Sequence, residues 1–220
     1  MKTVVVAGQA RKVGKTAVMA ALIRALRSLG WTAVKISRHR DRVPHLESVP
    51  GHRVVQKSGF LLTEEATASG TCDTGRFLAA GAKRALWLRV RSDNLAEGVQ
   101  ALRRALMGDE WVMIESNSIL DHLTPDLCLL VLDSSQGAFK ATARRLLPRA
   151  DAIIQVVRTT ELRCGSFNAP SGVPVFSVPR DSCRNRRLLR FVRQELRLSP
   201  NSHPQRPSTE RNHHGSIEQE

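Results

Sequence analysis

The 220-residue chain has no tyrosine, and aromatic side chains make up only 4% of it. Proteins that grip single-stranded nucleic acid stack bases on aromatic faces, and this chain has few to offer. Its four cysteines, Cys72, Cys128, Cys164 and Cys183, are widely separated. They show neither a C-x-x-C pair nor a histidine at zinc-finger distance, which argues against a disulfide framework or a zinc ribbon and for a reducing compartment. Long apolar runs are also missing. Residues 4–7 form a short one that gives way to Arg11 and Lys12, too short for a signal peptide, and no later run approaches the length that spans a bilayer. The expectation is a cytoplasmic protein with no membrane contact.

Acidic residues are scarce as well, 20 Asp plus Glu against 34 Lys plus Arg, for a formal net charge of +14. Such a balance suits a nucleic acid, an acidic partner or a polyanionic ligand. The arginines are scattered except over residues 180–197, so a nucleic-acid-binding module built on that helix is an alternative and nucleic acid is the less favoured partner. What is present is a core: 41% of the residues are hydrophobic, enough for one domain over residues 1–198. Residues 199–220 lose apolar periodicity and fill with Pro, Ser, Asn, His and Gln, the composition of a disordered tail.

The chain is organised around Val4-Val5-Val6-Ala7-Gly8-Gln9-Ala10-Arg11-Lys12-Val13-Gly14-Lys15-Thr16. An apolar strand leads into a glycine-bounded loop, and residues 17–29 follow with Val18, Ala21, Leu22, Ala25, Leu26 and Leu29 on one helical face. Backbone N–H groups in such a loop point inward, glycine lets them approach phosphate oxygens, and the helix presents its positive end to the same anion. The candidate cradle is Gly8, Gln9, Arg11, Lys12, Val13, Gly14, Lys15, Thr16 and Ala17. Lys15 would reach the outer phosphates and act catalytically, and the Thr16 hydroxyl would ligate Mg²⁺. Gly8 and Gly14 stand one residue further apart than in the strict pattern, whose first glycine position holds Gln9.

The remaining chain alternates strand and helix, which predicts an α/β fold with a mostly parallel sheet covered on both faces. A strand is expected over 32–37, then a long basic irregular segment over 38–58. There Arg38 and His39 are candidates for binding an anionic substrate, since loops at strand ends are where ligands sit in such sheets. A short extended piece over 60–66, a helix over 73–80 capped by Asp73, a strand over 84–90 and a helix over 94–106 follow. Trp111-Val112-Met113-Ile114-Glu115 has the form of a Walker B strand, whose closing acid holds a metal ion or its water and belongs to the catalytic set. Ser116 and Asn117, directly after it, are substrate-binding candidates. Further strands are expected over 127–132, 152–157 and 174–178, with helices over 139–147 and 182–196.

With these pieces in place the chain resembles the P-loop NTPase family of molybdopterin-guanine dinucleotide biosynthesis protein B (MobB). The resemblance is carried by Gly14-Lys15-Thr16, by the basic, histidine-bearing strand exit Arg38-His39-Arg40-Asp41, by Asp73-Thr74-Gly75-Arg76-Phe77-Leu78-Ala79-Ala80-Gly81-Ala82-Lys83 leading into a strand, and by the strand ending at Glu115. It implies a three-layer P-loop NTPase fold that binds GTP or ATP with Mg²⁺ and hydrolyses it slowly. It further implies an accessory role in molybdopterin-type cofactor biosynthesis, a cofactor-biosynthesis enzyme as partner, and a homodimer. The loop with Ala17 is also similar to that of cyclic 2,3-diphosphoglycerate synthetase, which implies an ATP-dependent small-molecule kinase or ligase instead. Arg158-Thr159-Thr160-Glu161 stands where a guanine-binding Asn-Lys-x-Asp would fall, so both nucleotides remain open.

Overall fold

The structure is a computed structural model and describes residues 1–41, 43, 54–133, 141–157 and 170–198. Strand β1 (Lys2–Gly8) is buried from Thr3 onward, because Val4, Val5 and Val6 supply apolar side chains to both faces of a central strand. It feeds helix α1 (Lys15–Ala25), which tightens into a 3-10 turn (Arg27–Leu29) and stops at Gly30 in the left-handed region (φ 66°). Next come strands β2 (Thr32–His39), β3 (Val54–Lys57) and β4 (Phe60–Glu64), helix α2 (Asp73–Ala79), strand β5 (Arg84–Arg91) and helix α3 (Leu95–Ala105). Strand β6 (Trp111–Glu115), a 3-10 turn (Ser118–Asp121), strand β7 (Leu127–Asp133), helix α4 (Ala141–Leu146), strands β8 (Ala152–Val157) and β9 (Val175–Pro179), and helix α5 (Arg186–Glu195) complete the described chain.

These strands form one sheet of order β3-β4-β5-β2-β6-β1-β7-β8-β9. Every pairing is parallel except the two made by β4. One face carries a core of Met19, Ile23, Trp31, Phe77 and Val192, from α1, α2, α5 and the strands beneath. The other carries Leu88, Leu102, Ile114, Ile119, Leu130 and Leu146 under α3 and α4. This is the three-layer α/β arrangement that the alternating pattern predicts. Central β1 and β6 both end at one edge, in register Val6 to Glu115, so the loop after β1 and the acid closing β6 emerge side by side. Among the described residues no helix is long and apolar enough to cross a membrane.

Several expectations change. The segment 38–58 is not irregular throughout. Strand β2 continues through Arg38 and His39 to pair with β5, and β3 joins β4 as an antiparallel hairpin. Its two-residue turn places Gly59 at φ 96°, the left-handed conformation that tight hairpins need. Cys72, not Asp73, caps α2, its sulfur accepting from the Gly75 N–H at 3.3 Å. Helix α5 starts at Arg186, four residues later than predicted, because the Asn185 side chain accepts from the Arg187 and Leu188 N–H groups and fixes the first turn there. Phe139 and Lys140, the stretch Arg158-Thr159-Thr160-Glu161 and the tail 199–220 lie outside the described residues.

Candidate functional site

The loop between β1 and α1 is anchored from three sides. The Gln9 N–H donates to the Val131 carbonyl at 3.0 Å, and its buried side chain accepts from the Asp133 N–H at 3.4 Å, so the residue in the strict first-glycine position serves as a tie to β7. Asn117 bonds both the N–H and the carbonyl of Gly8, each at 2.8 Å. From the end of β9, three strands along the sheet from β1, the Arg180 guanidinium donates to the Lys12 carbonyl at 3.2 Å and pairs with Asp133 at 3.3 Å. The chain turns through Lys12 (φ 62°) and Gly14 (φ 101°), and such left-handed positions let successive N–H groups converge.

Gly8 is needed for a different reason. A Cβ there would lie 2.8 Å from Lys15 Cδ, so only glycine lets the Lys15 stem lie back along the loop. Its ammonium donates to the Ala10 carbonyl at 2.7 Å. Burial lowers the Lys15 pKa below the ordinary lysine value, with Glu115 opposing it and Lys35 adding to it. A charge held at that cost is one that an arriving phosphate would relieve.

The Thr16 hydroxyl donates to Glu115 Oε2 at 2.7 Å. Glu115 Oε1 takes a hydrogen bond from Lys35, whose ammonium also pairs with Asp73 Oδ2 at 2.8 Å. Burial works against the Lys35 charge, but Glu115 and Asp73 outweigh it and raise its pKa. The carboxylate of Glu115 is 3% exposed and already balances one cation. Among the described residues no three His, Cys, Asp or Glu side chains form a metal cluster by themselves. The donors at hand, a hydroxyl and carboxylates, are the hard oxygens that suit Mg²⁺, an ion that keeps water and takes phosphate oxygens to complete its shell.

The other candidates fall in different places. Arg11, Lys12 and Ala17 are exposed, and Val13 is buried in the core. Ser116 is buried, its hydroxyl 3.2 Å from the Ser118 hydroxyl and accepting from the Ile119 N–H at 3.2 Å; it and Asn117 spend their polar groups on the fold. Arg38 is exposed, while His39 is half-buried with Nε2 unpartnered. Alternation along β2 puts His39 on the face of Lys35 and Arg38 on the opposite one. Sequence reasoning missed Lys35, Asp73 as its partner, and Arg180. The one available signal was a cation inside the apolar run Ala33-Val34-Lys35-Ile36.

No family model matches the chain, and no curated protein matches it. Among solved structures it is similar to HypB from Helicobacter pylori in complex with nickel, at 12% identity and TM-score 0.50 over 90% of this chain and 87% of that one. It is also similar to a MobB homologue from Bacillus stearothermophilus, at 16% identity and TM-score 0.46 over 90% and 99% of the two chains. A third is LpxK from Aquifex aeolicus in complex with ATP, at 16% identity and TM-score 0.42 over 80% and 53%. Taken with the sheet order and the strand, loop and helix at its centre, the first of these likenesses identifies the architecture as the P-loop NTPase fold.

Proposed function

We propose that this protein binds a nucleoside triphosphate with Mg²⁺ on the loop 8–16, hydrolyses it slowly, and serves as an accessory factor in the biosynthesis of a molybdopterin-type cofactor. The observation that carries the nucleotide reading is the meeting of Thr16 and Lys35 on the two oxygens of Glu115, Thr16 being the residue directly after the loop lysine. Loop N–H groups would hold the phosphates, Lys15 would neutralise charge on the outer one, and Thr16 and Glu115 would hold the metal or its water. The metal, when bound, supplies further neutralisation of phosphate charge. Because phosphoryl transfer depends on positioning and electrostatics, these are the kinds of group that the step requires. The cofactor role is supported by the sequence resemblance at residues 14–16, 38–41, 73–83 and 115.

Calorimetry with ATP and with GTP, each with and without Mg²⁺, tests the reading and separates the two nucleotides. Removing a charged partner of a phosphate costs about 1.5–3 kcal/mol, so Lys15→Ala should weaken binding by about tenfold to a hundredfold or more. Unchanged nucleotide affinity in that variant would refute the proposal. A small-molecule kinase or ligase is the second reading, favoured by the open cationic sheet face beside Glu115. Turnover accelerated by one small acid or phosphorylated metabolite supports it, and uniformly slow turnover supports the accessory role.

A further inference from the structure

Strand β5 carries three arginines that are treated differently. Arg84 is held by Glu64 at 2.8 Å and Asp109 at 2.9 Å, and Arg91 pairs with Asp93. Arg89, between them, makes no ion pair among the described residues, and its Nε is buried without a hydrogen-bond partner. Its contacts are neutral: Nη2 donates to the Thr63 hydroxyl at 3.3 Å, and the guanidinium lies 4.2 Å over the Trp87 ring. Burial alone lowers its pKa, as expected of a cation that has lost water and gained no anion.

The nearest acids along these strands are already engaged, Glu115 and Asp73 by Lys35 and Asp93 by Arg91, and the groups around Arg89 are rich in donors. In register, Ser37 lies opposite Arg89, Lys35 opposite Trp87 and His39 opposite Arg91, all on one face of the sheet. Trp87 Nε1 donates to the Ser37 hydroxyl at 3.0 Å. On the same face His39 Nε2 is a second buried nitrogen without a partner. Phe77 of helix α2 shares a buried cluster with Ala33 and Ala85, near the start of these strands, and Asp73 at the start of α2 reaches Lys35. Higher up, Ser37, His39, Trp87 and Arg89 remain half-exposed. Arg89 stands two strands from Glu115 and two residues further along, about 12 Å between Cα atoms by sheet spacing. A small molecule seated there would lie beside the outer end of a triphosphate on the loop.

We propose that Ser37, His39, Trp87 and Arg89 form a subsite for a small second ligand bearing an oxyanion, a carboxylate or a phosphate, with the anion against the unpaired guanidinium. Arginine suits this because its fork of donors matches either group, and the Trp87 ring holds it in place. That the ligand is the nucleotide's co-substrate rests on the reading of the previous subsection; the anion binding itself does not.

The test uses the full chain saturated with Mg²⁺ and a non-hydrolysable triphosphate, so that the loop is filled before anions are added. Inorganic phosphate and succinate are titrated separately at constant ionic strength by calorimetry. At least one should bind, and Arg89→Met should weaken it about tenfold or more while nucleotide affinity stays the same. A second measurement needs no variant: phenylglyoxal modification of Arg89, followed by peptide mass mapping, should slow when the binding anion is present. Protection by phosphate alone, or by succinate alone, names the group. If neither anion slows modification of Arg89 and neither binds more weakly to Arg89→Met, the subsite does not exist. Protection of Arg89 in a chain that binds no nucleotide would leave the subsite standing and remove the nucleotide reading.

Discussion

Asn117 holds Gly8 by both ends of its amide, Oδ1 accepting from the N–H and Nδ2 donating to the carbonyl at 2.8 Å each. Strand β6 ends at Glu115, two residues before β1 does in register, so the last backbone groups of β1 would face an absent neighbour. The amide of Asn117 has the same donor and acceptor as a peptide unit and stands in for it.

Asn117→Ala should therefore leave a donor and an acceptor at the entrance of the loop without partners. Each such loss costs about 1–3 kcal/mol, so urea unfolding should show a destabilisation of about 2–6 kcal/mol for the two together. Asn117→Asp should be at least as harmful, because a carboxylate would face the Gly8 carbonyl. Unfolding curves that match the parent chain for both variants would show that the clamp carries no stability.

Gly14→Ala tests the loop's conformation at one point. Gly14 sits at φ 101°, and a Cβ would come within 3.2 Å of Val156 Cγ2. Both effects oppose alanine, and strain at such a backbone position costs about 1–3 kcal/mol. Val156→Ala removes the contact but leaves φ unchanged and costs core packing of its own, so measured against Val156→Ala alone, Gly14→Ala should still destabilise, though less than in the parent, and still weaken nucleotide binding. No further loss on adding Gly14→Ala to Val156→Ala would mean that the contact, not the backbone, sets the requirement.

The strand, loop and helix around Gly14-Lys15-Thr16 are legible in the sequence because their signals are local: an apolar run, a glycine pair, then a 3.6-residue period. Glu115 is legible for the same reason, as the acid that ends an apolar strand. Arg180 is not, since it reaches the Lys12 carbonyl across 168 positions, and only the strand order brings β9 to that side of the loop. Lys35 is hidden differently. A single cation on a strand whose neighbours Val34 and Ile36 are buried has no local partner, and Glu115 and Asp73 come to it from other elements. The hairpin strand Val54–Lys57 is only four residues long and follows a segment rich in Pro and His, so its two valines do not stand out as a strand.

Cysteine labelling checks the packing of β7. Burial pushes the Cys128 thiol up to about 12, with Asp151 adding to the effect, and its side chain lies in the core beneath α3 and α4. Thiols react as thiolates, so a short iodoacetamide pulse at pH 8 should leave Cys128 unmodified in the native chain and modify it after unfolding in urea. Cys72 is half-exposed and should be labelled in the native chain. Early labelling of Cys128 would mean that β7 opens locally, contrary to its place at the centre of the sheet.

The two lysines at Glu115 should respond in opposite ways to neutralisation. Burial keeps the Lys15 pKa below the ordinary value of 10.5, so its charge penalises the folded state at any pH where it is protonated, and that penalty fades as pH rises toward 10.5. Lys15→Met should then leave the nucleotide-free chain as stable as before, or slightly more so, even as nucleotide binding weakens. For Lys35, burial is outweighed by Glu115 and Asp73 and the pKa lies above 10.5. Its contribution is complete below 10.5 and is lost as pH rises through the higher folded value. Lys35→Met removes that contribution at neutral pH and leaves the buried Glu115 carboxylate without its ion-pair partner, holding the Thr16 hydroxyl and only the more distant charge of Lys15. Breaking a buried ion pair costs about 3 kcal/mol or more. Thermal unfolding of both variants at pH 7, without nucleotide, decides it: equal losses would mean that the two ammonium groups play the same structural part, and that Lys15 is not held ready for an incoming anion.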